Sequence, residues 1–167
     1  MNDRRLDEFE IDNVRESGNR DMIDGAVELW LAERALPRAG AERRRDQLLL
    51  VAREVASDRI AGMVTTYLET QPRLRVPLWT MRAYVAEDFR QRDIGFHMLF
   101  ATLDYHQQRF LSGEDTSGRG LYMEIENPII QRARNEAVWQ RSRFVFIGVN
   151  ARGHHCRVRY FDGARID

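Results

Sequence analysis

The stretch best equipped for chemistry runs from Tyr84 to Leu99, YVAEDFRQRDIGFHML. It reads as a strand that runs into an arginine-rich turn, and the turn opens a helix. The first amides of a helix lack intrahelical acceptors and carry partial positive charge. Such a start suits an anion, above all a phosphate. Gly95 allows close approach to the backbone, and Arg90 and Arg92 add charge-assisted donors. Gln91, Asp93, Ile94 and Phe96 complete the candidate cradle. Two readings stand on these residues alone: a site for a phosphate-bearing ligand, or a helix start decorated with arginine.

A second group lies in LYMEIE, Leu121 to Glu126. Strand alternation puts Tyr122, Glu124 and Glu126 on one face. A mid-strand Glu124 is expected to be partly buried, which readies a carboxylate for general-base work. Tyr84 faces similarly on the neighbouring strand and is a candidate acid. The alternative is that both glutamates pair with nearby arginines such as Arg82, and that Tyr84 only packs.

Other clusters read as structure. His154, His155 and Cys156 are adjacent, so on a strand they point to opposite faces and cannot readily chelate one ion. His97 and His106 fall on different faces of one helix. Arg43-Arg44-Arg45 is a solvated basic loop, and Ser112 to Gly120 lacks the spacing of an EF-hand or a P-loop.

The positioning elements follow from period and punctuation. Phe9-Glu10-Ile11 starts a short strand. From Asp21 a helix is predicted by Ile23, Ala26, Val27, Trp30 and Leu31, ended by Pro37. Arg38 to Asp46 reads as a loop. Leu48 to Arg53 and Ile60 to Glu69 form a hairpin around Ser57-Asp58-Arg59. Leu78 to Ala86 is a third strand. A helix follows from Ile94 to Phe110, with Phe96, Leu99, Phe100 and Leu103 as its core face. After the strand at 121–126, Asn127-Pro128 starts a helix, with Asn as cap and Pro in the first turn. That helix continues through Ile130, Ala133, Ala137 and Val138. Phe144 to Val149 and Cys156 to Phe161 close the chain as a strand pair. The order predicts an α/β domain with a mixed sheet and parallel crossovers at its centre.

Composition bounds the class. The 167 residues suit one domain spanning 1–167, with 43% hydrophobic and 31% charged residues. All 26 basic residues are arginine and 26 acidic residues balance them. The zero net charge argues against nucleic acid or an acidic membrane as partner, and the missing lysine excludes Schiff-base chemistry. No apolar run nears the about 20 residues of a membrane span, and the charged start MNDRRLDEFE is unlike a signal peptide. A single cysteine forms no internal disulfide or cysteine-cluster metal site. A cytoplasmic protein without a metal is expected.

Taken together, the strand ending in Val85, then Arg90, Ile94, Gly95 and Leu99, resemble the coenzyme loop of the GCN5-related N-acetyltransferases. Glu126-Asn127-Pro128 resembles that family's fifth-strand exit, and Ala137 to Gly148 its helix end and Phe-led sixth strand. The element order agrees from about Phe9 to Phe161. The resemblance implies a mixed, mostly antiparallel sheet flanked by helices, with acetyl-coenzyme A or another acyl-coenzyme A as co-substrate, held by Val85, Arg90, Gln91, Arg92, Asp93, Ile94, Gly95, Phe96 and Asn127. It implies direct acyl transfer to a small-molecule or peptide amine, with the Val85 amide facing the thioester oxygen. Glu124, Tyr84 and Glu126 are then the catalytic candidates, and a homodimer is possible. Three positions depart from the pattern. Asp93 replaces the first glycine and is expected to cap the helix and compete with a diphosphate. Trp139 stands where many members carry a proton-donating tyrosine, and Arg143 where a glycine precedes the sixth strand. These departures leave two alternatives open: a longer-chain or carrier-protein-bound acyl donor, and a binding module without catalysis.

Overall fold

The computed structural model describes residues 7–166; most of the charged N-terminal stretch read against a signal peptide lies outside them. Among these residues are seven strands and five α-helices. They are β1 (Phe9–Asn13), α1 (Val14–Ser17), α2 (Arg20–Ala32), α3 (Arg38–Arg45), β2 (Leu48–Glu54), β3 (Ile60–Gln71), β4 (Val76–Val85), α4 (Ile94–Ser112), β5 (Gly120–Ile125), α5 (Pro128–Ala133), β6 (Val145–Val149) and β7 (His155–Tyr160). The sheet order is β1-β2-β3-β4-β5-β7-β6. β4 and β5 pair in parallel from Trp79 opposite Leu121 to Met81 opposite Met123, as a crossover through α4 requires. The pairings of β1 with β2, β2 with β3, β5 with β7 and β6 with β7 are antiparallel.

The chain divides into two compact units. One comprises the chain up to Thr66 together with Ala83–Thr102; the other comprises Tyr67–Arg82 and the chain from Leu103. β3 and β4 each contribute residues to both.

In the first unit, Asn19 caps α2 by accepting from the Met22 amide. Met22, Ala26 and Trp30, at four-residue steps, then pack with Val14, Ala41, Leu48, Val51 and Met63. Burying Met22 and Trp30 contributes roughly 1.5–3 kcal/mol each. Two expectations fail here. Pro37 does not end α2; the helix stops at Ala32, and Arg34 at φ 54° turns the chain. Pro37 instead precedes α3, formed by the segment read as a loop. Its polar residues hide only two packing points, the buried Gly40 and Ala41.

In the second unit, Val76, Leu78, Tyr122, Cys156 and Val158 form the core. Asn127 caps α5 through the Ile129 amide, with Pro128 at its start, as predicted. The predicted continuation to Val138 fails, because α5 ends at Ala133 and Val138 makes an antiparallel bridge with Val145. On α4 the buried positions are Ile94, Met98, Leu99, Thr102, Leu103 and His106. Phe96 and Phe100, expected in the core, are half-buried against each other at 5.9 Å.

One close approach in the first unit sets where β4 ends. A Cβ on Gly62 would lie 2.7 Å from the Tyr84 carbonyl oxygen and 2.8 Å from the Met98 methyl. Ala61 also accepts from the Ala86 amide at 2.9 Å. Glycine at 62 thus lets β3, the end of β4 and the start of α4 meet. Gly62→Ala is expected to lower the unfolding free energy by about 1–3 kcal/mol, read as a lower urea midpoint.

Candidate active site

Every residue of the predicted cradle from Tyr84 to Phe96 belongs to the first unit. β4 ends at Val85. A short 3-10 turn, Glu87–Phe89, reverses the chain, and α4 begins at Ile94. The Asp93 carbonyl accepts from the Phe96 and His97 amides, at 2.9 and 3.2 Å. The Ile94 and Gly95 amides precede those bonds and have no backbone acceptor among the described residues. A Cβ on Gly95 would sit 3.5 Å from a Val85 methyl, an ordinary contact, so packing alone does not demand glycine there. Asp93 holds φ 58°, the left-handed region. An L-residue is strained there, and the glycine of the family pattern would not be.

The two arginines of the turn divide the work. Arg92 donates to Glu54 at 2.5 Å and to Glu8 at 2.7 Å, and lies 4.8 and 5.3 Å from the Phe9 and Phe89 ring centres. Hydrogen bonds to Glu8 and then Glu54 push its guanidinium above the ordinary arginine value. The expectation that Arg92 donates to a phosphate is corrected by this geometry: both its terminal nitrogens hold carboxylates. Phe89 is buried edge-on to Phe9, and Arg59 lies over it while bridging to Asp88 at 2.5 Å. Arg90 is the exposed member. Its Nε donates to the Val85 carbonyl at 3.3 Å and its guanidinium lies 6.0 Å from the Tyr84 ring. Gln91 is exposed.

Tyr84 is more than a packing ring. Its hydroxyl donates to Glu33 Oε2 at 2.6 Å. Glu33, at the end of α2, also accepts from the Glu87 amide at 3.3 Å. Burial, reinforced by this carboxylate, pushes the Tyr84 hydroxyl up to about 12. Sequence reasoning missed Glu33: a glutamate closing a helix carries no local signal, and Tyr84 is 51 residues away.

The other candidates belong to the second unit. Glu124 is half-buried and, as expected, shares a face with Tyr122, whose hydroxyl donates to it at 3.0 Å. Its arginine partner is Arg152 at 3.2 Å, not Arg82, which lies over Tyr67. His154 Nδ1 is 4.0 Å from the same carboxylate. Burial beside Cys156 pushes the Tyr122 hydroxyl strongly up. Glu126 lies beyond the end of β5 and is exposed, and the Asn127 side chain is occupied as the α5 cap. Trp139 is not on a helix. It is buried, donates from Nε1 to the Arg134 carbonyl at 3.0 Å, and stacks under Arg157 at 4.3 Å. Its role is packing. Among the described residues no group of three His, Cys, Asp or Glu is placed to hold a metal ion, and no helix is long and apolar enough to cross a membrane.

Two outcomes follow for the turn. Asp93→Gly is expected to raise the unfolding free energy by up to about 1 kcal/mol, measured by urea denaturation, because the left-handed strain is relieved. The Ser57 hydroxyl and then Arg92 hold the Glu54 carboxyl below its ordinary value of 4.5. A carboxyl depressed in the folded state contributes stability that is full above that value and is lost as pH falls through the folded pKa. The melting-temperature gap between the native chain and Arg92→Gln is therefore expected to be widest near neutrality and to close as pH falls through the depressed Glu54 pKa, below its ordinary 4.5.

No family model matches the chain, and no curated protein matches it. Solved structures do. An acetyltransferase of the GNAT family from Streptococcus pneumoniae is 17% identical, with a TM-score of 0.60 over 92% of this chain and 99% of that one. A ribosomal-protein-S5-alanine acetyltransferase from Vibrio fischeri is 12% identical, with a TM-score of 0.58 over 95% and 96%. An aminoglycoside 6'-N-acetyltransferase complexed with coenzyme A is 13% identical, with a TM-score of 0.54 over 95% and 99%. With its strand order, the parallel pairing of β4 with β5 and the turn from Val85 into α4, the chain has the fold of the GCN5-related N-acetyltransferases.

Proposed function

We propose that the chain is an N-acyltransferase that moves an acyl group, acetyl foremost, from acyl-coenzyme A to a primary amine. The observation that carries this reading is the open pair of amides at Ile94 and Gly95. They are presented where β4 turns into a 19-residue helix, with Arg90 exposed beside them. Those amides and the helix dipole would hold the diphosphate of the donor, and Arg90 would add a mobile charge. The fold shared with a coenzyme A-bound aminoglycoside acetyltransferase supports it.

The chemistry asks little of the protein beyond position and proton handling. The amine gives up a proton, its nitrogen attacks the thioester carbonyl, and the coenzyme leaves as a thiol after taking a proton. A backbone amide at the end of β4 suits the oxygen that gains charge.

Asp93 favours one second reading. Its charge at the helix start opposes a diphosphate, so a donor carried on another protein's pantetheine arm would be less affected than free acyl-coenzyme A. Acetyl-coenzyme A at 100 times its Kd is expected to stabilise the chain by about 2.7 kcal/mol in thermal unfolding. With a panel of primary amines it is expected to release free thiol. Asp93→Gly is expected to bind acetyl-coenzyme A more tightly by calorimetry. No stabilisation by any acyl-coenzyme A, with turnover of an acylated carrier protein, would favour the second reading. Inertness toward both donors would remove the enzymatic one.

A further inference from the structure

The Tyr84–Glu33 pair is unlike the other ion pairs and hydrogen bonds of the first unit. A carboxylate at the C-terminal end of a helix faces the negative end of the helix dipole. α2 has no basic residue in its last turn to offset it. Glu33 is nonetheless held there by two donors, the Tyr84 hydroxyl at 2.6 Å and the Glu87 amide at 3.3 Å. Both belong to the segment that leads from β4 into the anion-binding turn. Tyr84 immediately precedes Val85, whose Cγ2 lies against Gly95. The pair therefore stands one residue from the strand end where the acyl group is handled. A part-buried tyrosine hydroxyl needs an acceptor, and here that acceptor is a carboxylate rather than a neutral carbonyl.

We propose that Glu33 is the proton acceptor behind Tyr84, and that the two side chains together take a proton from the acceptor amine during acyl transfer. This rests on the acyltransferase reading above. The step balances as follows. A proton on the amine nitrogen passes to the Tyr84 oxygen while the Tyr84 hydroxyl proton passes to Glu33 Oε2. The nitrogen keeps its electron pair, Tyr84 ends as it began, and Glu33 ends as a neutral acid. When the thiolate leaves, the same exchange runs backwards: Tyr84 gives its proton to sulfur and Glu33 returns the proton to Tyr84. The second proton that the nitrogen loses on becoming an amide goes to water. Acetylation of an ammonium group thus releases one proton overall. Because the Tyr84 hydroxyl titrates near 12, a free tyrosinate does not form at neutral pH, and only the paired exchange moves the proton. Glu33 is a positioning residue here, since in this proposal it acts through Tyr84, the side chain assigned to meet the amine.

The charged and titratable groups around Glu33 are few. Tyr84 comes from β4 and Glu87 from the 3-10 turn, which contributes its amide. The Arg59 charge acts on Glu33 from the β2–β3 turn, and Arg90 lies beside the Tyr84 ring from the loop before α4. Both arginines stay charged across the working range, and the Glu87 carboxylate, 3.8 Å from the Arg90 guanidinium, is the other acid of this group.

The test compares Glu33→Gln, Tyr84→Phe and the double variant with the native full-length chain. Each is assayed for acetyl-coenzyme A affinity by calorimetry, melting temperature, and amine-dependent thiol release from pH 5 to 9. Glutamine keeps the acceptor oxygen for Tyr84 and the fold of the brace while removing the basic site. Each single variant is expected to lose about 100-fold in kcat or more. The double variant is expected to lose no more than the worse single one, since the two act as a unit. Acetyl-coenzyme A affinity should stay within about twofold, and Glu33→Gln should lose the acid limb. Native turnover with Glu33→Gln within twofold of it would overturn the inference and leave the acyltransferase reading intact. So would additive losses in the double variant, or an unchanged acid limb. A native chain that binds acetyl-coenzyme A yet acylates no amine would overturn both.

Discussion

A helix can offer its first amides to a ligand only if the chain leading into it is held from somewhere else. That constraint governs the segment between Val85 and Ile94. The segment is braced at its back by Arg92, whose guanidinium bridges Glu8 and Glu54 while lying over Phe9 and Phe89. It is braced at its base by Gly62, whose missing side chain lets the Tyr84 carbonyl approach β3. Phe89 supplies the apolar anchor between them. With the turn secured on that side, the amides of Ile94 and Gly95 have no backbone acceptor among the described residues. The buried anchor and a bifurcated, stacked arginine resist displacement better than an exposed ion pair alone would.

The absence of lysine gives this network its character. A guanidinium is planar and carries a fork of donors, so one side chain can hold two carboxylates and stack on a ring at once. Arg92 does so, and Arg59 couples Asp88 with the Phe89 face. A lysine in either place would be a point charge without the stacking surface. The same turn therefore contains two arginines with opposite duties: Arg92 fastened inward and Arg90 left at the surface.

The second unit answers the same problem of buried polarity in another way. Arg157 is 1% exposed and forms no ion pair among the described residues; it is held by the carbonyls of Arg134 and Glu136 and by the Trp139 ring. Burial lowers its pKa as expected for a charge withdrawn from water. Trp139 thus closes over a buried cation, and since α5 ends at Ala133 it does not hold the helical position expected of it. Glu124 sits at the other end of that unit's polarity, between Tyr122 and the exposed Arg152.

The sequence by itself determined the order of elements, because period and punctuation are local properties. Alternation marked β4 and β5, the change to helical spacing marked α4, and Asn127-Pro128 marked the start of α5. It also located the turn whose open amides define the candidate site, since Val85, Arg90, Ile94 and Gly95 are close in the chain. It misjudged α3, where charged residues outnumber the one buried alanine, and the segment after Ala133, where alanine and valine spacing imitated a helix. Only the tertiary structure decided which arginine is fastened inward and which carboxylate stands behind Tyr84. Glu8 and Arg92 are 84 residues apart, and Glu33 and Tyr84 are 51 apart. Such pairs depend on where β1, β2 and the end of α2 come to rest. That is settled by packing around Trp30, Met63 and Phe89, which no local pattern in the chain encodes.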